Sequence, residues 1–313
     1  MTRRVLFVID PFETIKVHHD TTYAILLETA RRSDATFVAE CRDLFFRNEL
    51  RVNARPVAPR RGASDSPTPG PPENRAAADF NIIWMRKDPP VDLEYLYATQ
   101  LLSLAPSSTV VLNHPRALRD ANEKLYALRF PSLIPETLVT SSIDEIDRFR
   151  TEVGGAIVVK PLDGMGGRGV YLVRDGDPNR RALLETATGR GTQTVVAQRY
   201  LPAVAKGDKR ILLLGGEPIG ALNRIPQVGD LRANMAAGGT VAPTVLDQFD
   251  LEICDALRDA LIADGLHFVG IDVIGGHLTE VNVTSPTCLQ EINRLNNVQL
   301  ERRVVDYAES LSR

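Results

Sequence analysis

Three oxygen-bearing side chains near the end of the chain, Asp272, Glu280 and Asn282, recur at a spacing that suits a cation. They sit in Gly270-Ile271-Asp272-Val273-Ile274, a Gly275-Gly276-His277 break, and Leu278-Thr279-Glu280-Val281-Asn282-Val283-Thr284. Two β-branched runs around a Gly-Gly turn predict a hairpin. Side chains two apart on a strand share a face, so Glu280 and Asn282 point the same way. A three-residue loop over 275–277 sets Asp272 directly opposite Glu280. A two-residue loop shifts the register by one and sends Asp272 to the other face. In the three-residue register, two carboxylates and an amide oxygen crowd one spot. Two unit charges about 4 Å apart repel by about 4 kcal/mol at an effective dielectric of 20. A hard divalent cation offsets that, and Mg²⁺ typically uses one or two carboxylates plus phosphate oxygens. The plainer alternative is that Asp272 or Glu280 caps a turn or faces water.

Upstream lie groups that suit phosphate. Asp163-Gly164-Met165-Gly166-Gly167-Arg168-Gly169 packs four glycines into seven residues. Such backbone lets N–H groups approach phosphate oxygens closely. A P-loop or dinucleotide fingerprint needs a strand before and a helix after. Here the strand Val170–Val173 follows, which disfavours both. A protein kinase also sets a glycine-rich loop between strands, but its lysine comes on a later strand. Lys160 instead ends the preceding strand, so its ammonium reaches back over the same phosphates. A hairpin tip with no ligand is the alternative. Lys124, in Asp120-Ala121-Asn122-Glu123-Lys124 at an expected helix start, reads alone as a solvated lysine and gains interest from Lys160 downstream. Ala197-Gln198-Arg199-Tyr200-Leu201-Pro202 ends a strand; it offers backbone donors and acceptors to an adenine edge between two lobes, or is an ordinary strand end.

Basic residues complete the set. Arg210, Arg224 and Arg232 recur between a strand at 210–214 and residue 241. The segment Ile225–Val241, with Pro226, Gly229, Gly238 and Gly239, has the length of an active-site lid. Arginines there can hold carboxylates by paired, charge-assisted bonds, or the loop simply carries scattered surface charge. Arg86-Lys87-Asp88-Pro89-Pro90 follows another strand at a carboxyl edge, where open α/β sheets favour ligands.

The elements that position these groups alternate. Val5–Ile9, Ala35–Ala39, Asn81–Met85 and Val110–Leu112 read as strands, and Thr22–Arg32 and Glu94–Leu104 as helices, which predicts an α/β unit with a parallel sheet. Further strands are expected at 156–160, 194–198 and 210–214, and helices at Phe249–Leu266 and Val298–Leu311. A domain boundary is expected near 120. Residues 55–79, with Pro56, Pro59, Pro67, Pro69, Pro71 and Pro72, read as a mobile surface loop. The chain shows no internal repeat. Its 313 residues suffice for two or three domains, and 43% hydrophobic and 25% charged content are ordinary for a soluble globular protein. A net charge of −3 disfavours nucleic acid and membrane surfaces as partners. Three widely spaced cysteines, Cys41, Cys254 and Cys288, form neither a zinc pattern nor a disulfide framework and point to a reducing cytoplasm. The apolar start, Val5–Ile9, stops at Asp10-Pro11, too short for a signal sequence. No stretch approaches the roughly 18 apolar residues a membrane helix needs.

Together these segments resemble bacterial glutathione synthetase, an ATP-grasp carboxylate–amine ligase. The resemblance rests on Asp10-Pro11 with His19-Asp20-Thr21-Thr22, on Trp84-Met85-Arg86-Lys87-Asp88-Pro89-Pro90, and on Asn122-Glu123-Lys124-Leu125. It continues through Lys160-Pro161-Leu162-Asp163-Gly164-Met165-Gly166-Gly167, Gly207-Asp208-Lys209-Arg210, Asn234-Met235-Ala236-Ala237-Gly238-Gly239, and Thr279 through Thr287. It spans nearly the whole chain in the family's order. Two departures stand out: the proline-rich 55–79 segment, and Gln290 where many members carry a basic residue.

The resemblance implies a pre-ATP-grasp, Rossmann-like domain over 1–121 and an ATP-grasp module over 122–313. The module divides into a small lobe, 122–200, and a C-terminal lobe, 201–313, with the lid 225–241. It implies ATP contacts from Lys124, Lys160, Asp163, Gly164, Met165, Gly166, Gly167, Gln198, Tyr200, Leu201 and Asp208. It implies substrate contacts from Asp10, Arg86, Arg210, Arg224, Arg232, Asn234, Ser285, Pro286 and Thr287. Asp272, Glu280 and Asn282 match magnesium ligands, with manganese as an alternative ion; Arg210, Lys160 and Arg232 match the groups that offset charge in the reaction. The implied chemistry joins γ-glutamylcysteine to glycine through an acyl phosphate, releasing ADP and phosphate. A homotetramer in the cytoplasm is implied as well. The alternatives are an ATP-grasp ligase for another acid or amine, and a non-catalytic nucleotide-binding regulator.

Overall fold

A computed structural model describes residues 3–32, 35–58, 67–230, 232–233, 235 and 238–312. The strand β1 (Arg4–Val8) buries Leu6, Phe7 and Val8 completely, as a strand covered on both faces must. It pairs in parallel with β2 (Ala35–Ala39) and, on its other side, with β6 (Ile82–Met85), which pairs in parallel with β7 (Val110–Leu112). Between them come α1 (Thr21–Arg31), β3 (Leu44–Arg47), β4 (Glu49–Val57) and β5 (Glu73–Ala76); α2 (Leu93–Leu102) and α3 (Pro115–Asp120) flank β7. Asp20 caps α1 by accepting from the Tyr23 N–H at 2.8 Å, a satisfied helix start.

The first sheet corrects one expectation. Residues 55–57 belong to β4 and pair antiparallel with β2, while β5 pairs along β4 from Arg51 to Ala54. Pro69 bridges Val57, and the Gly70 N–H donates to the Pro56 carbonyl at 2.8 Å. Residues 55–57, Pro69, Gly70 and β5 are therefore tied into the first sheet. Its residues 59–66 lie outside the described residues.

The second sheet is antiparallel, in the order β10-β9-β11-β8: β8 (Thr137–Thr140), β9 (Ala156–Pro161), β10 (Tyr171–Arg174) and β11 (Val195–Arg199). With α4 (Ile143–Glu152) and α5 (Arg180–Ala187) it encloses its own core of Ile146, Ile157, Val159, Val173, Leu184 and Val195. The third sheet holds β12 (Asp208–Leu214), β13 (Glu217–Ile225), β14 (Thr240–Pro243), β15 (Phe268–Ile274) and β16 (His277–Asn282), antiparallel throughout. Helices α6 (Gln248–Asp264), α7 (Leu289–Asn296) and α8 (Leu300–Leu311) accompany it. The first and third sheets share buried clusters: Trp84 stacks on Phe7 and meets the Phe268 ring edge-on, with centroids 6.5 Å apart. The buried Asn113 joins them by hydrogen bonds, donating to the Phe268 and Val283 carbonyls at 2.8 Å and accepting from the Phe268 N–H.

Candidate active site

The hairpin of β15 and β16 turns differently from the three-residue loop. Ile274 pairs with His277, so the tip has two residues, Gly275 and Gly276. Both lie at positive φ, 56° and 79°, which glycine adopts freely and a two-residue type I′ turn requires. That register alone would set Asp272 against Thr279 and turn Glu280 toward the core. A β-bulge at Thr279 absorbs the extra residue, so Asp272 pairs with Glu280 and Gly270 with Asn282. The Thr279 hydroxyl donates to the Asp272 carbonyl at 3.2 Å across the bulge. The predicted loop length is corrected, and the predicted juxtaposition of the three oxygen-bearing residues stands for a different reason.

Cross-strand pairing extends this face into a charged ladder. Arg210 on β12 is the partner of Asp272, and Asp208, two residues away, is the partner of Arg224 on β13. Arg210 donates from Nε to Asp272 Oδ1 at 2.5 Å and from a terminal nitrogen to Oδ2 at 3.1 Å. Arg224 donates to Asp208 and lies 2.9 Å from Asp272 Oδ2. All four side chains are buried. Burial opposes the charge on Asp272, but Arg210 and Arg224 outweigh it and hold its carboxyl well below the usual carboxylate range. Burial pushes Asp208 up, to about 7, against the pull of Arg224.

Above the ladder lies a cleft of about 910 Å³ between the second and third sheets, within the range of small-molecule sites. Lys160, at the end of β9, brings Nζ within 3.9 Å of Glu280 Oε1. Gly164, Met165, Gly166 and Gly167 line the cleft in the loop from β9 to β10. A Cβ on Gly164 would stand 2.6 Å from Pro161 Cγ and 3.0 Å from the Arg168 carbonyl oxygen, so the loop folds this tightly only with glycine there. Gln198, Tyr200 and Leu201 line the same space, as do Ser285 and Thr287. The N–H groups of Arg199 and Tyr200 already donate to the Glu136 and Ala156 carbonyls, so those two are not open donors for an adenine edge.

Several residues stand elsewhere than expected. Lys124 is buried, in a turn that leads into a 3-10 helix at Tyr126–Arg129, and its Nζ donates to the Gly164 carbonyl at 2.7 Å. It is no solvated lysine at a helix start. Asp163 is exposed and lies off the cleft lining. Asp10 and Arg86 line a smaller adjoining pocket of about 60 Å³ with Asp20 and Asp88. Arg86 is buried and donates to Thr22 Oγ1 and the Pro286 carbonyl, both at 3.0 Å; burial lowers its pKa to about 10. Pro286 thus supports Arg86 from outside the main cleft. Arg232 reaches the cleft while bonded to Asp230 within the 225–241 segment, and Asn234 lies outside the described residues. Gln290 donates to the Val17 and Asp20 carbonyls, at 3.0 and 2.6 Å, so it holds the loop before α1. Lys16, His19 and Cys288 also line the cleft, with His19 Nδ1 2.8 Å from Glu291 Oε1. Sequence reasoning assigned none of the three a role in the cleft, although His19 lies in a matched motif, because a loop from the first sheet and the start of α7 bring them in.

The chain is similar to known proteins along its length. The family models for the N-terminal domain and the ATP-grasp domain of prokaryotic glutathione synthetase match residues 4–119 and 123–297. The glutathione synthetase of Gloeobacter violaceus is 46% identical over 311 residues, covering 97% of this chain and 96% of that protein. That of Thermosynechococcus vestitus is 47% identical, covering 96% and 98%. That of Salmonella typhimurium is 43% identical, covering 97% of each. Among solved structures, D-cycloserine synthetase DcsG aligns with a TM-score of 0.68 at 15% identity, over 98% of this chain and 99% of that one. The ATP-grasp ligase PsnB aligns with a TM-score of 0.62 at 19% identity, over 100% and 99%. These last two establish a shared fold.

Proposed function

The chain belongs to the prokaryotic glutathione synthetase family, and from that premise we propose how its residues divide the work. The protein is an ATP-grasp ligase for ATP-dependent glutathione synthesis. The carboxylate of γ-glutamylcysteine takes the γ-phosphoryl group and ADP leaves; the glycine amine then attacks the acyl carbon and phosphate leaves. No enzyme nucleophile is needed, so positioning and charge compensation carry the catalysis. The observation that carries the assignment of roles is the single cleft face on which Lys160, Glu280, Asp272, Arg210 and Arg224 converge.

In our reading the domain division falls at 121/122, and the 163–169 loop covers the phosphates, held by Lys124 from below. Lys160 and Arg210 offset charge during transfer, and Arg224 and Arg232 hold substrate carboxylates. Asp272, Glu280 and Asn282 fit a hard divalent ion, since all three are oxygen donors on one face. Asp272 has both oxygens engaged by arginine, so it joins an ion only by sharing a carboxylate already held in place. Magnesium or manganese held by these residues would supply positive charge against the phosphates. No described helix is long and apolar enough to cross a membrane. The three cysteines are free and buried, which suits the cytoplasm we assign. A homotetramer follows from family resemblance alone.

Phosphate release, followed with γ-glutamylcysteine and glycine each omitted in turn, tests the activity. Release is expected to need both substrates. Full release without glycine, or only with another amine, overturns glycine as the acceptor.

A further inference from the structure

Residues 122–124 carry three consecutive side chains that reach in two directions. Asn122 donates to the Leu162 carbonyl at 3.0 Å, and Lys124 donates to the Gly164 carbonyl at 2.7 Å, so both hold the glycine loop. Glu123 between them turns the other way. Its Oε1 accepts from the Val283 N–H at 3.0 Å, the Thr284 N–H at 3.1 Å and the Thr284 hydroxyl at 2.8 Å. Its carbonyl accepts from the Val281 N–H at 2.9 Å. The strand β16 is the last in its sheet, so its outer N–H groups need partners from elsewhere. One residue supplies them on both sides of Asn282.

We propose that Glu123 is a positioning residue for the metal end of the site: it fixes where Asn282 and Glu280 stand relative to the phosphate loop. Two observations separate this from general support. The carboxylate spends one oxygen on three donors at the exit of β16, and the neighbouring Asn122 and Lys124 are anchored to the loop that faces β16 across the cleft. The two halves of the site are thus registered through three adjacent residues. Losing Glu123 releases β16 at its exit and leaves the grip of Asn122 and Lys124 on the glycine loop.

The inference rests on the ion-binding reading of Asp272, Glu280 and Asn282, and the test separates the two. ADP affinity is measured by calorimetry on the full chain, once in EDTA and once across a magnesium titration, for wild type, Glu123→Ala, Glu123→Gln and Glu280→Gln. Glu123→Ala is expected to raise the magnesium needed for half-maximal tightening by about tenfold, the usual scale for removing support behind a ligand, with metal-free ADP affinity unchanged. Glu123→Gln keeps an acceptor oxygen and is expected to recover most of that loss. A shift from Glu280→Gln with none from Glu123→Ala overturns the role of Glu123 alone. No shift from Glu280→Gln overturns the ion assignment itself. An equal loss of metal-free affinity in Glu123→Ala also overturns the proposal, since Glu123 would then support the whole cleft. If Glu123→Ala does not fold, Thr284→Val removes one of the three donors; about a threefold shift is expected from one lost hydrogen bond, and no shift overturns the proposal.

Discussion

Two of the three oxygen-bearing residues on the hairpin face should differ sharply in what they do for stability. Asp272 is 3% exposed and lies between the guanidinium groups of Arg210 and Arg224, both also buried. With Asp208, which burial raises to about 7, these four side chains are neutral as a set when both carboxylates are ionised. Asp272→Ala leaves two buried guanidinium groups with one carboxylate between them. Removing one partner from a buried ion pair typically costs about 3–5 kcal/mol, mostly from the charge left uncompensated. For a chain of this size that corresponds to a drop of roughly 5–15 °C in Tm. Glu280 has a side chain 21% exposed, and Lys160, its ion-pair partner, stands 3.9 Å away, beyond hydrogen-bond distance. Glu280→Ala should therefore cost under about 1 kcal/mol. Thermal unfolding at pH 7, without nucleotide or metal, measures both. The physical account fails if Asp272→Ala melts within a degree or two of wild type, or if Glu280→Ala is the less stable of the two.

Three further outcomes are expected. Glu28 is buried on α1 and accepts from Arg31 and Arg32; burial raises its pKa, but those bonds outweigh it and lower it below the ordinary value. A depressed carboxylate adds stability above its unfolded pKa and loses it as pH falls through the folded one. Glu28→Gln should cost about 1–2 kcal/mol at pH 7, and its deficit against wild type should shrink from pH 5 towards pH 3 in urea titrations; a constant deficit counts against the ionised pair. Gly164→Ala should raise the KM for ATP about tenfold by forcing the loop off Pro161, a cost on the scale of overpacking, with little change in Tm; an unchanged KM would mean that the loop does not approach the nucleotide. Proteolytic clipping within 225–241 should raise the ratio of phosphate released to glutathione formed, because the acyl phosphate then meets water. An unchanged ratio removes the shielding role.

The first sheet was legible because Val5–Val8 of β1 and all of β6 are short unbroken apolar runs, as strands covered on both faces are. The glycine loop was legible because Lys160 and the strand at 171–174 bracket it. Strand β13 was missed: Pro218 and Gly220 break its apolar pattern, although its one arginine, Arg224, pairs with Asp208. The partners of Arg210 and Arg224 could not be read from the chain, since Asp272 reaches them only through pairing across β12, β13 and β15. Glu123 was passed over for a similar reason. It stands beside the lysine that the motif makes conspicuous, while its donors lie 160 and 161 residues downstream. Proline density misled at 55–79, because the count of prolines says nothing about whether a neighbouring strand has a free edge.

The bulge at Thr279 has an evolutionary consequence. The register of β16 is set from its base, by Glu123 and by the pairing of Asp272 with Glu280, and the tip has no part in it. Losing Thr279 from the chain would leave a regular ladder in which Asp272 still meets Glu280 and Gly270 still meets Asn282. Losing a residue between 281 and 284 would turn the remaining side chains to the wrong face. Length can therefore drift at one end of this hairpin and not at the other. Descendants of this sequence are free to gain or shed a residue near the tip, where the bulge takes up the slack, while the four residues at the base are held to a fixed count.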